Sequence, residues 1–149
     1  MSRIDDVRKY HHKGVKGDRK AVKTAYGLLR TLREEDPENA LIEAYYGSVQ
    51  ALLARDAEKP LAKADLAEAG LASLNRAVGM DPENKEIRLI RANVCMRLPD
   101  SYFRCAATAL EDFRYLAERE RASPGFLTKS QKEDVKKGIR KLTKEERPR

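Results

Sequence analysis

The chain has 149 residues, of which 41% are hydrophobic and 37% charged, with no tryptophan, which suits one domain with a core and a large exposed surface. Its longest apolar runs are only a few residues, so no segment can span a membrane as a helix, and the charged start Met1-Ser2-Arg3-Ile4-Asp5-Asp6 carries no apolar signal segment. A cytoplasmic location is expected. The net charge of +7 is carried by the ends: residues 1–23 hold eight basic and three acidic groups and residues 129–149 nine and four, against fourteen and seventeen over 24–128.

Helical spacing of apolar residues runs through the chain, and no segment alternates with period two, so an all-α protein is expected. Residues 3–13 form a short first helix with Ile4, Val7 and Tyr10 three apart. Gly14 and Gly17 mark a turn. Asp18 is placed to cap a long helix over 18–35, whose inner face carries Ala21, Val22, Ala25, Leu28, Leu29 and Leu32. A helix over 38–55 follows, with Ile42, Tyr45, Tyr46, Val49, Leu52 and Leu53 as its stripe. Asp56 to Pro60 is a polar loop, and a helix over 61–79 carries Leu66, Gly70, Leu74, Ala77 and Val78. The next helix, over 83–97, points Ile87, Ile90 and Val94 inward, with Leu98 just beyond.

Pro99 breaks the chain, and Asp100 or Ser101 caps one helix running to 121, with Phe103, Ala106, Leu110, Phe113 and Leu116 inward. Ser123-Pro124-Gly125 is a turn. Thr128 or Ser130 starts a last, basic helix with a narrow stripe of Val135, Ile139 and Leu142, and the tail Lys144–Arg149 is expected to fray. Cys95 and Cys105 lack metal-ligand spacing and read as buried thiols without a disulfide.

The tetrapeptide Asp36-Pro37-Glu38-Asn39 recurs unchanged as Asp81-Pro82-Glu83-Asn84, 45 residues on. Proline lacks an N–H and disfavours helix in the residue before it, so it stops the incoming helix. It also fits the first turn of the next helix, where the aspartate is expected to cap free N–H groups. The flanks repeat at the same offset: Ile42, Tyr45, Gly47, Val49 and Leu53 match Ile87, Ile90, Ala92, Val94 and Leu98. Apolar slots stay apolar and the Gly47/Ala92 slot stays small.

These helical pairs resemble tetratricopeptide repeats. Tyr46-Gly47 matches that family's Leu-Gly position in a first helix, and Gly70, Leu74, Ala77 and Pro82 match the spacing of a second. Ala92 takes the glycine slot of the next unit, Ala109 and Phe113 fit its second helix, and Ala25, Leu29 and Pro37 hold the same spacing earlier. The repeats depart from the family in their 45-residue spacing, in Arg91 beside Ala92, and in Glu43 and Arg88 at a usually apolar slot. The resemblance implies a right-handed superhelical stack of antiparallel helical hairpins over residues 1–127. A basic capping helix and tail, 128–149, would complete this solenoid.

It further implies a non-enzymatic adaptor that binds a peptide or partner protein in a concave groove formed by first helices. The groove residues would be Leu41, Ala44, Ser48 and Ala51 in one unit, and Glu86, Leu89, Asn93 and Met96 in the next. They lie off the apolar stripe, an independent reason to single them out. Asn93 matches the asparagine with which tetratricopeptide receptors hold a ligand backbone, while their lysine and arginine partners are missing. No catalytic, cofactor or metal motif is present. The adjacent His11 and His12 would point about 100° apart on a helix and read as solvated. Two alternatives stand: a nucleic-acid-associated protein using Lys129, Lys132, Lys136, Lys137, Arg140, Lys141 and Lys144, and a self-associating structural subunit.

Overall fold

The structure, a computed structural model, describes residues 2–146, and the described residues are all-α. The helices are α1 (Arg3–Val15), α2 (Arg19–Glu35), α3 (Ala40–Asp56), α4 (Pro60–Met80), α5 (Lys85–Arg97), the single turn α6 (Asp100–Phe103), α7 (Ala106–Ala122) and α8 (Lys129–Glu146). Residues 1–90 and 91–149 form two compact units. The expected boundary after 127 does not coincide with this division, because α8 packs on α7 within the second unit.

The repeated tetrapeptide builds the same turn twice. The Asp36 N–H donates to Leu32 O at 2.9 Å and the Asp81 N–H to Ala77 O at 3.0 Å, closing α2 and α4. The side chain of Asn39 then accepts the Ile42 N–H, and that of Asn84 the Ile87 N–H, each at 3.1 Å. The aspartate therefore ends one helix and the asparagine caps the next, with Pro37 and Pro82 in the link. This corrects the expectation that aspartate caps and proline enters the following helix. Asparagine wins because its carbonyl oxygen sits at N-cap with extended φ and ψ, while Asp36 and Asp81 hold the C-cap.

In the first unit α3 is packed by α1, α2 and α4. A helix enclosed on three sides must be apolar or small nearly all round, and α3 buries eleven residues, from Ile42 to Ala54. The closest approach is to α4. A Cβ on Gly47 would lie 2.6 Å from Gly70 O, and one on Gly70 2.6 Å from Gly47 O. Only glycine fits either position. Gly14, inside α1, is needed for the same reason: its Cβ would meet Val22 at 2.7 Å.

In the second unit Arg91 turns inward. Its Nε and Nη2 each donate to an Asp112 carboxylate oxygen at 2.7 Å, and Asp112 is fully buried. The expected single helix from 100 to 121 is broken at Arg104, which adopts left-handed φ 53°, and at Cys105. Asp100 then caps the second piece, accepting the Ala106 N–H at 2.9 Å. The side chain of Ser101, the other candidate cap, lies outside the described residues. Both cysteines are buried and free, and Cys105 Sγ donates to Cys95 O at 3.6 Å.

Thr128 and Gln131 form a reciprocal capping box at the start of α8, with bonds of 3.1 and 2.9 Å. Val135 and Leu142 are buried, Ile139 is half-buried, and a Cβ on Gly138 would collide with the Phe113 ring. Helix α8 runs to Glu146, so Lys144 is helical; residues 147–149 of the expected frayed tail lie outside the described residues.

Candidate functional site

Tyr26, Arg30 and Arg33 follow steps of four and three along α2, which brings them onto one face. Across the first tetrapeptide turn, α3 presents Glu43 and Tyr46, and α4 adds Arg76. Together with Glu34 and Pro37, five of these residues, all but Tyr26, line a cleft of about 440 Å³.

Arg33 Nε donates to Glu43 Oε1 at 2.9 Å and Nη2 to Oε2 at 3.5 Å. Glu43 is only 2% exposed, and an ionised carboxylate at that depth needs such a partner. The same guanidinium lies 4.5 Å over the Tyr46 ring. Tyr46 in turn stacks on Tyr26, with centroids 5.8 Å apart and planes 18° apart, and Arg30 lies 5.8 Å over Tyr26. Each ring thus has an aromatic partner and a guanidinium. Burial, then the neighbouring Tyr26 hydroxyl, pushes the Tyr46 phenol above its ordinary value, so it stays neutral. Arg30 and Arg76 are exposed, and neither has a carboxylate partner among the described residues. Three guanidiniums against two carboxylates leave the lining with one net positive charge.

The residues expected to form a groove fall elsewhere. Ala44 (0% exposed) and Ser48 (1%) are core, and Ala51 is buried with them. The reason is α1, which packs across α3 and places His11 Nε2 2.7 Å from Ser48 Oγ. Glu86 is half-buried and engaged. It accepts from Arg8 Nε at 3.0 Å, from Arg8 Nη2 at 2.8 Å, and from the Tyr45 hydroxyl. Burial opposes the charge on Glu86, yet these two donors hold its carboxyl below the ordinary value. Burial and the same contact push the Tyr45 phenol up, so it remains a donor. Leu41, Leu89 and Met96 are half-exposed and Asn93 is exposed.

His12 is exposed as expected, but His11 is not simply solvated. It bonds to Ser48 and sits edge-on to Tyr45, with centroids 5.0 Å apart. Serine and histidine at 2.7 Å have the separation of a nucleophile and its base. Ser48 has no exposed face for a substrate to reach, so the pair fastens α1 to α3. Among the described residues no three His, Cys, Asp or Glu side chains are grouped to hold a metal ion, and no helix is long and apolar enough to cross a membrane.

Sequence reasoning missed the cleft. Its one visible signal was Glu43 in a slot where an apolar residue belongs. Tyr26, Arg30 and Arg33 lie off the apolar stripe of α2, and no motif singles them out. Comparison with family models, with curated proteins and with solved structures returns no match.

Proposed function

We propose that the chain is a non-enzymatic protein-interaction module, built from tetratricopeptide-like helical hairpins in a solenoid. It takes a segment of a partner protein in the cleft lined by α2, α3 and α4. The observation that carries this reading is the state of the three arginines. Arg33 is neutralised by Glu43, while Arg30 and Arg76 present guanidiniums with no carboxylate partner among the described residues. Two such groups beside a tyrosine ladder suit a partner carboxylate held by charge-assisted hydrogen bonds. A single net positive charge matches one acidic side chain better than a string of phosphates. The rings, already engaged by each other and by guanidiniums, are poor platforms for a nucleobase. Leu41, half-exposed at the start of α3, offers apolar contact area in the same unit.

A random-peptide display selection tests the reading, run in parallel on the natural chain and on Arg30→Glu/Arg76→Glu. The natural chain is expected to enrich peptides sharing an acidic position. The variant should lose that enrichment by tenfold or more, since a hydrogen bond to a charged group contributes about 1.5–3 kcal/mol. Its unfolding midpoint should not move. Equal enrichment by both chains, or none by the natural one, contradicts the proposal.

A further inference from the structure

The second unit carries a surface of different chemistry. Helix α8 has spent its apolar side: Val135 and Leu142 are buried and Gly138 lies against the Phe113 ring. What remains outward is basic. Lys129, Lys132, Lys136 and Arg140 follow one line at steps of three and four, and Lys137 and Lys141 begin a second line beside it. All but the half-buried Lys132 are exposed, and none is engaged by a carboxylate among the described residues. From Lys129 to Lys144 the helix rises about 22 Å. Duplex DNA presents roughly one phosphate charge per 1.7 Å of axis, so on the order of a dozen phosphates lie within that reach.

We infer that the outer face of α8 binds nucleic acid through its phosphate backbone. This goes beyond the protein-binding reading and rests on different residues. A membrane surface is the poorer fit, because an interfacial helix needs an apolar face to enter the headgroup layer, and that of α8 is covered by α7. Helix α8 has no aromatic residue to stack on a base, and contacts to the phosphate backbone carry no sequence information. Binding is therefore independent of sequence and dependent on salt. Glu133 and Asp134 share the helix with the lysines, and Glu133, flanked by Lys132, Lys136 and Lys137, limits the affinity.

The test is fluorescence anisotropy of a labelled 24-base-pair duplex of arbitrary sequence, titrated with the full chain at several salt concentrations between 50 and 200 mM. Neutralising about five phosphates gives a slope of log affinity on log salt near −4.5, from roughly −0.9 per phosphate. Lys136→Glu/Lys137→Glu is expected to weaken binding at least tenfold at the low-salt end and to flatten the slope by about 2. Glu133→Gln is expected to tighten it, and Arg30→Glu/Arg76→Glu to leave it unchanged. Circular dichroism checks that each exposed substitution leaves the helices intact. The inference is overturned by a flat salt dependence or by full binding in the lysine variant. An equal loss in the arginine variant overturns it too, as does capture by vesicles containing phosphatidylserine without capture of the duplex.

Discussion

At Asp36–Asn39 and again at Asp81–Asn84 the chain closes one helix on the aspartate N–H and caps the next with the asparagine side chain, using bonds that agree within about 0.1 Å. What flanks the two turns differs. Arg30, Arg33, Glu34, Glu43 and Tyr46 surround the first; 45 residues on stand Asn75, Val78, Gly79, Arg88 and Arg91. The first set lines an open cleft. In the second, Arg88 Nε donates to Pro82 O at 2.8 Å and Arg91 is committed to the buried Asp112. The turn belongs to the architecture, and the proposed recognition chemistry sits where the two copies diverge. The ion pairs divide the same way: Arg91–Asp112 is closed at both ends, while Arg33–Glu43 has its arginine open to the cleft.

Breaking the closed pair has the largest expected effect. Asp112→Ala leaves the Arg91 guanidinium buried without its carboxylate, which costs about 3–5 kcal/mol, read from urea unfolding. Arg91→Met/Asp112→Leu should recover most of that, since well-packed apolar residues replace a buried pair at little cost. A loss under 1 kcal/mol for Asp112→Ala would show the pair is not held as described. The open pair is expected to respond asymmetrically. Arg33→Ala strands the buried Glu43 carboxylate and costs about 2–3 kcal/mol, whereas Glu43→Ala frees an arginine that can turn to water and costs about 1 kcal/mol. Equal costs in the two variants would count against the difference in burial.

Much of the architecture was legible before the structure. The helix boundaries follow from Asp18, the two Asp-Pro-Glu-Asn runs, Pro99 and the Ser123–Gly125 turn, because capping and proline chemistry act locally. Gly47 and Gly70 were each legible as small slots of a repeat, where one helix can come close to a neighbour. Three things were not. The break at Arg104 lies inside a good apolar pattern and is set by a left-handed residue that no local signal marks. The cover of α1 over Ala44 and Ser48 is a long-range contact, with His11 reaching a serine 37 residues away. The cleft depends on Arg76 of α4 lining the same hollow as Arg30 and Arg33 of α2. Periodicity identifies which face of a helix is buried; it does not say which helix covers it.

Smaller effects sharpen the comparison further. Gly47→Ala forces α3 and α4 apart against a backbone carbonyl and is expected to cost about 1–3 kcal/mol. The corresponding slot in the second copy is already Ala92, so Ala92→Gly should be far milder. Asn39→Ala and Asn84→Ala should each cost about 1 kcal/mol, and within error the same amount, if the two turns are equivalent. The position that is Leu41 after the first turn is Glu86 after the second, and there pH enters. Its carboxyl sits below the ordinary 4.5, so its contribution is present above that pH and is lost as pH falls through the lowered folded value. Glu86→Gln should accordingly flatten the acid limb of the stability curve.

The central claim is that the cleft beside the first turn, and not its counterpart, receives a partner's acidic segment. Its most direct test is a titration of the ¹⁵N-labelled chain with a peptide enriched in the display selection, followed residue by residue by NMR. Saturable shifts at Arg30, Arg33, Tyr46 and Arg76, with Arg88 and Arg91 unmoved, are the predicted result. Saturable shifts that leave those four residues silent would contradict it.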